Sequence, residues 1–384
     1  MVFVLITSAN TYDLETRRLI VGGVQTYTRD LCLLAIEKGF HAVMYQLDEE
    51  QEDSQTEFDG IEFHVVPKKG QSNQICFDRI YKESNSADSI FVIATDQMDI
   101  KTKAYNVVVI QHGVAFDITT VPGFWSKSVF LQHINKTLRC FNNVRRFYWS
   151  RNTVGVDYNY FNWFRTLGII PPGKKFMVIP NYSSSQISEK ELAIKISKNR
   201  NPIRVVFARR FTDYRGVHLF ANCVDRLLSE CSNLDFTFAG DGEFKDEIEH
   251  RYLGNPRVHI TSFSAPDSIL FHQQFDIAVV PTVYSEGTSL SLLEAMSAGC
   301  FPIATHVGGM TNIILDHYNG LLCFPDEKSV YDAIKEAINM DEDKYKSIIV
   351  NAYHSVTVAF SIEQWKRKWG FFIDTVMKNY QNNN

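Results

Sequence analysis

The chain has 384 residues, 45% of them apolar, which is enough for two domains that each bury a core of their own. Charged residues make up 22% and the formal net charge is −5, so the strongly basic class that binds nucleic acid through its charge is excluded. Seven cysteines (Cys32, Cys76, Cys140, Cys223, Cys231, Cys300 and Cys323) are scattered, odd in number and free of any C-x-x-C pair. That usage is expected of reduced thiols in a cytoplasmic protein, not of disulfides or zinc ligands.

The opening MVFVLITSA is apolar, has no basic residue ahead of it and is too short to span a bilayer. It reads as a first buried strand instead of a signal peptide. A polar loop over 10–21 carries Arg17 and Arg18 and ends at Gly22-Gly23-Val24. In the segment that follows, Leu31, Leu34 and Ala35 form a helical stripe, and Gly39 closes it before a strand over 41–47. A glycine pair at a strand-to-helix turn lets the backbone come close to a ligand. It fits a plain turn equally well, because the G-x-G-x-x-G dinucleotide fingerprint is missing.

Further strands are expected over 62–66, 89–94 and 106–111. The last runs into His112-Gly113. A histidine just past the end of a buried strand faces the edge where open parallel sheets bind ligands, although a lone histidine also serves as a structural residue. Asp96 holds a comparable position after its own strand.

Residues 121–165 differ from the rest in composition. Seven cations (Lys127, Lys136, Arg139, Arg145, Arg146, Arg151 and Arg165) face a single acid, Asp157, a surplus of six that leaves the remainder near −11. Aromatics including Phe124, Trp125, Phe130, Phe141, Trp149 and Trp163 are interleaved with them. Such a stretch fits peripheral contact with an anionic membrane surface. It also fits a helix pair that packs its aromatics inward and leaves its cations in water.

Lys175 to Ile179, then Pro180-Asn181-Tyr182, reads as the last strand of a first domain, and the polar stretch 183–202 reads as a linker. A second α/β pattern restarts at Ile203, giving domains over 1–190 and 200–355 and a final amphipathic helix over 360–380. The first strand of the second domain ends in ARRFTDYRGV. Arg210 and Arg215 are spaced there across a short loop, a pattern that fits a pair of surface arginines as well as a diphosphate clamp, with Arg209 competing with Arg210 for the place. After strands over 235–239 and 259–261 comes SFSAPD, with Phe263 and Ser264.

The stretch over 275–305, FDIAVVPTVYSEGTSLSLLEAMSAGCFPIAT, is a strand, loop, helix and strand in one unit. Thr288 is expected to cap the helix, and Gly299 stands where a left-handed residue ends it. Gly287 allows close backbone approach, and the free N–H groups at the helix start suit a phosphate. Glu286 in the loop and Glu294 on the helix suit sugar or ribose hydroxyls better than a phosphate, whose charge they would repel.

This segment resembles the retaining family 4 glycosyltransferases of the GT-B fold. The resemblance rests on two glutamates with seven residues between them, the LLEAM helix, Ala298-Gly299, Pro302 and the Gly308-Gly309 turn, in that order. It implies two facing Rossmann-like domains, with the last helix crossing back to the first. It further implies that Glu286 and His112 lie beside the donor sugar, that Arg210 and Arg215 neutralise the diphosphate, and that Glu294 holds the ribose. The backbone of Gly287, Thr288, Ser289 and Leu290 would hold the diphosphate, with Gly22 and Gly23 near it and Ser264 near the nucleobase. Asn312 departs from the family, where a glutamate is common.

The function implied is transfer of a glycosyl group from a UDP- or GDP-linked sugar to a glycan or lipid-linked acceptor, with the anomeric configuration retained. Synthesis of a cell-surface polysaccharide is the expected setting, in the cytoplasm or at the inner face of the membrane. No cofactor and no metal are implied, and nucleic acid is not a partner. Asp341-Glu342-Asp343 reads as a solvated acidic turn. A sugar-nucleotide 2-epimerase and a non-catalytic scaffold of the same fold are the alternatives.

Overall fold

The computed structural model describes residues 1–20, 22–84, 87–114, 128–284 and 286–383. Val21, Phe124, Trp125, Lys127 and Ser285, which enter the expectations above, lie outside the described residues. In chain order the first elements are β1 (Val2–Thr7), β2 (Tyr12–Asp13), β3 (Arg18–Leu19), α1 (Gly23–Glu37), β4 (His41–Asp48), β5 (Ser54–Phe58) and β6 (Ile61–Pro67). They are followed by α2 (Asn73–Ser84), β7 (Ser89–Ile93), β8 (Val107–Gln111), α3 (Val129–Phe147), β9 (Asn152–Gly155), α4 (Tyr158–Leu167) and β10 (Lys175–Val178). Next come α5 (Glu189–Ser197), β11 (Ile203–Ala208), α6 (Val217–Glu230), β12 (Leu234–Ala239), α7 (Lys245–Arg251), β13 (Val258–Thr261) and α8 (Ser268–His272). The chain continues through β14 (Ile277–Val280), α9 (Leu290–Ser297), β15 (Phe301–Thr305), β16 (Leu321–Cys323), α10 (Glu327–Asn339), α11 (Glu342–Ala359) and α12 (Ile362–Gln381).

These elements form two compact units, one of Met1–His112, Pro122–Pro180 and Trp365–Asn384, the other of Gly113–Val121 and Asn181–Gln364. The first is built on an eight-stranded sheet in the order β10-β9-β8-β7-β1-β4-β6-β5. Its central strands are short β-branched runs: Phe3 to Ile6 on β1 and Ile90 to Ile93 on β7 are all buried, as strands covered on both faces must be. Pairing is parallel throughout except at the β5–β6 hairpin, whose turn residues Asp59 and Gly60 both have positive φ.

From Trp365 onward α12 belongs to this first unit. Trp369 donates its indole N–H to Tyr27 Oη on α1 at 2.7 Å, and Trp365 meets the same ring edge-on. Lys38 pairs with Asp374 at the surface. The basic stretch is not a simple helix pair, because β9 enters the sheet between α3 and α4 and buries Asn152 to Gly155.

The second unit holds a six-stranded, all-parallel sheet in the order β13-β12-β11-β14-β15-β16. Its core gathers Val205, Phe207, Phe220, Phe236, Phe238 and Ile303 from strands and helices alike. The stretch 183–202, expected as a linker, instead contains α5. Ser188 and Glu191 form a reciprocal capping box at its start, and Ile187 and Leu192 are buried in the core of this unit. One buried leucine in nine polar-rich residues leaves little periodic signal, which is why composition suggested a linker. Asp341 is the N-cap of α11, its carboxylate accepting from the backbone N–H groups of Asp343 and Lys344, so the acidic triplet is a helix start.

Candidate functional site

In the second unit β11 and β14 are adjacent and parallel, so the loops leaving their C-terminal ends meet at one edge of the sheet. Val283 donates its N–H to the Tyr214 carbonyl at 2.9 Å and ties the two loops together. Gly216, at φ 82°, lies against the Pro281 backbone. A Cβ there would fall 2.0 Å from the Pro281 carbonyl oxygen, so the approach needs glycine.

Glu286 sits at this junction with its side chain 9% exposed. Its Oε2 atom accepts from the guanidiniums of Arg209 and Arg215 and from the Thr282 hydroxyl, the last at 3.2 Å. Arg209 also donates to Thr282 Oγ1, and Thr305 Oγ1 donates to the Thr282 carbonyl at 2.5 Å. Burial by itself would raise the Glu286 pKa, but the two arginines outweigh it and hold the carboxyl down to about 2. The triad carries one net positive charge among largely buried side chains.

The sequence reading took Arg210 for this place, with Arg209 as its competitor. In the structure Arg209 is the one paired with Glu286, while Arg210 is exposed.

Gly308 and Gly309 lie directly behind Glu286 and Gly287. Gly309 donates its N–H to the Glu286 carbonyl at 3.1 Å, and a Cβ on Gly308, at φ 52°, would fall 1.8 Å from that same oxygen. The glycine pair therefore fixes where the Glu286 loop runs.

Gly287, Thr288 and Ser289 are buried and lead into α9, with Leu290 half-buried as its first residue. The expected cap does not form. Ser289 occupies the N-cap position and makes no side-chain cap, while the Thr288 hydroxyl accepts the Asn181 N–H at 2.7 Å. Asn181 also donates its side-chain amide to the Thr288 carbonyl at 2.5 Å. Among the described residues the first-turn N–H groups of α9 thus have no capping side chain and keep the partial positive charge that suits an anion.

Glu294 lies further along α9 and is half-buried. Ser268 Oγ donates to its Oε2 at 2.7 Å, and burial pushes its pKa up to about 7 despite that hydrogen bond. Two carboxylates eight residues apart therefore sit in opposite electrostatic states, Glu286 ionised between arginines and Glu294 near its titration point. Ser264 is exposed in the loop after β13, where it bonds Asp267.

The remaining expected residues lie in the first unit. Gly22 is the N-cap of α1 and Gly23 its first residue, again without a side-chain cap. His112 follows β8. A carbonyl can only accept, so its Nε2 carries the proton donated to Ala94 O at 2.8 Å, and Nδ1 is left as the acceptor. Burial lowers the His112 pKa to about 4, and the ring of Tyr27 stands edge-on to it at 5.4 Å.

Sequence reasoning missed Thr282 and Ser268, the hydroxyls that hold the two glutamates, and the bracing of Thr288 by Asn181. The signal for Thr282 was its place just past β14, two residues after the strand ends. Nothing local marks Ser268, whose role arises only when α8 packs on α9.

Comparison with known proteins shows what these features are similar to. Residues 202–340 match the family described as glycosyl transferases group 1. An uncharacterized glycosyltransferase of Methanocaldococcus jannaschii is 30% identical over 179 residues, covering 44% of this chain and 50% of that protein. A glycogen synthase of Clostridium beijerinckii is 26% identical over 278 residues, covering 67% of this chain and 54% of the relative. The chain thus spans about half the length of these curated relatives. Among solved structures, a sucrose-phosphate synthase from Thermosynechococcus elongatus superposes with a TM-score of 0.74 at 13% identity, over 99% of this chain and 100% of that one. The Anabaena protein HepE, solved in complex with UDP-glucose, superposes with a TM-score of 0.66 at 16% identity, over 98% and 100%. The stretch 202–340, with the Glu286 triad and α9 inside it, is similar to the group 1 glycosyltransferases, and the chain has the GT-B fold.

Proposed function

We propose that the protein transfers a glycosyl group from a nucleotide-sugar donor to a glycan or lipid-linked acceptor, with retention of anomeric configuration and without a metal ion. The observation that carries this reading is the buried Glu286 between Arg209 and Arg215, at the sheet edge where the uncapped start of α9 also points. As the bond from the anomeric carbon to phosphate breaks, negative charge gathers on the leaving diphosphate. Two guanidiniums and a helix N-terminus meet that charge where it develops. Glu286 acts as the acceptor for donor-sugar hydroxyls and holds both arginines in place, while Glu294 accepts from the ribose. The roles that the resemblance implies for His112, beside the sugar, and for Gly22 and Gly23, near the diphosphate, are part of this proposal. Ser264 lies in the loop assigned to the nucleobase.

UDP is the first nucleotide to try, since HepE, which shares the fold, was solved with UDP-glucose. A cell-surface polysaccharide or glycoconjugate is the proposed product, made on the cytoplasmic side. The decisive experiment is calorimetry with a panel of UDP- and GDP-sugars in the presence of a chelator, on the wild type and on Arg209→Ala and Glu294→Ala. Binding of one donor, weakened by about 1–3 kcal/mol in each variant, is expected. Absence of any nucleotide-sugar binding by folded protein would remove the reading. Consumption of donor with no acceptor added, giving an epimerised sugar nucleotide, would assign the fold to epimerisation instead.

A further inference from the structure

In the first unit the surface made by α3, α4 and the residues after α4 combines exposed apolar side chains with charge of one sign. Of the 19 residues of α3, the buried ones are Asn143, Val144 and Phe147, all in its last part. Phe130, Ile134, Leu138 and Phe141 recur at spacings of four, four and three, so they share one face of that helix. Val129, Phe130, Leu138 and Phe141 are 83%, 72%, 51% and 58% exposed. On α4 Trp163 is 46% exposed, and just after it Ile169 is 82% exposed, its N–H held by Tyr148 Oη at the end of α3.

From Ser128 to Ser188 the chain has eight lysines and arginines and one acid, Asp157. That acid is buried as the N-cap of α4 and offers nothing to the surface. Lys174 is spent internally on the Phe147 and Ser150 carbonyls. Arg146 pairs with Asp99, whereas Arg145 and Arg165 lie over the rings of Trp149 and Phe161, 5.7 and 5.8 Å from their centroids.

We propose that this α3–α4 face docks on an anionic lipid bilayer, with the Phe130–Phe141 stripe and Ile169 entering the headgroup boundary and Arg145 and Arg165 pairing with lipid phosphates. A protein partner would be met by a core depleted of charge and a rim of both signs. Here aromatic and aliphatic side chains alternate with cations alone, the complement of an anionic interface. The inference rests on the glycosyl-transfer reading in one respect, that a lipid-linked or surface-glycan acceptor is met at a membrane. No helix among the described residues is long and apolar enough to cross one, so contact through this face is peripheral.

The test is flotation of the full chain with vesicles of phosphatidylcholine alone and with vesicles that also contain phosphatidylglycerol. The wild type is expected to float with the second kind only, and to be released as salt rises. Arg145→Glu with Arg165→Glu, and separately Phe130→Ser with Phe141→Ser, should each weaken flotation roughly tenfold or more. Lys328→Glu, on the surface of the second unit, should leave it unchanged. The proposal is overturned by equal binding to both vesicles, by no binding, or by full binding of both double variants. It is overturned equally by a wild-type dimer in light scattering that Phe130→Ser with Phe141→Ser dissolves, which would make the face a self-contact. Donor calorimetry on the same proteins separates the two readings, because retained donor binding without flotation removes only the membrane face.

Discussion

Replacing Glu294 by glutamine should stabilise the protein at alkaline pH and weaken its donor affinity at the same time. Burial raises the folded-state pKa of this carboxyl from 4.5 to about 7, while the unfolded chain keeps the ordinary value. A raised carboxyl pKa means the folded state binds a proton that the unfolded state has already lost. The associated stability is complete below pH 4.5, is lost as pH rises to about 7, and stays lost above. The full difference is about 3 kcal/mol, trimmed to about 2 kcal/mol by the solvent that still reaches Glu294. Glu294→Gln removes the titration and leaves an oxygen that can still accept from Ser268 Oγ. Urea unfolding of the two proteins should therefore give nearly equal stabilities near pH ~4.5 and an advantage of about 2 kcal/mol for the variant near pH ~8.5. Donor affinity, measured by calorimetry across the same range, should rise with pH toward about 7 in the wild type and be flat and lower in the variant. A stability difference that does not change with pH would refute the assignment of a strained, titrating carboxyl.

Three further outcomes follow from the geometry. Arg209→Ala should cut donor affinity by about 1.5–3 kcal/mol in calorimetry, and Arg210→Ala by clearly less, since Arg209 is the one paired with Glu286. Gly308→Ala places a methyl group 1.8 Å from the Glu286 carbonyl, so the Glu286 loop must move, and donor binding should be lost more completely than unfolding midpoints fall. Trp369→Phe removes the donor to Tyr27 Oη and should destabilise the first unit by about 1–2 kcal/mol in thermal unfolding, with donor calorimetry at the second unit unchanged.

What the sequence revealed and what it hid follow from the range of the forces involved. The second unit's βαβ run was legible because its signals are local: the apolar strand at 277–280, the helical spacing of Leu293 and Met296, and Gly299 at φ 70°. The central strands of the first unit stood out for the same reason. β9 was hidden because Asn152 and Thr153 are polar, yet the Asn152 side chain donates to the Tyr105 and Val107 carbonyls, which makes it a good buried residue. α5 was hidden because one capping box and Leu192 are enough to hold it once a core exists to receive them. At the site, the identities of Glu286 and Glu294 could be read, but their opposite states could not. Those depend on what long-range packing delivers: two guanidiniums to one, and to the other burial that a single serine hydroxyl does not offset. The failed cap at Thr288 teaches the same lesson, because Asn181, 107 residues earlier, competes for the hydroxyl.

The return of α12 to the first unit also bears on the order in which the chain is made. Tyr27 and the inner face of α1 emerge early in synthesis, but the tryptophans that cover them lie at 365 and 369. Nearly all of the second unit, 181–364, is complete before then and can condense while the first is still missing a wall. During that interval the uncovered aromatic surface of α1 is available to a chaperone or to another nascent chain, and its closure is timed by translation of the last helix.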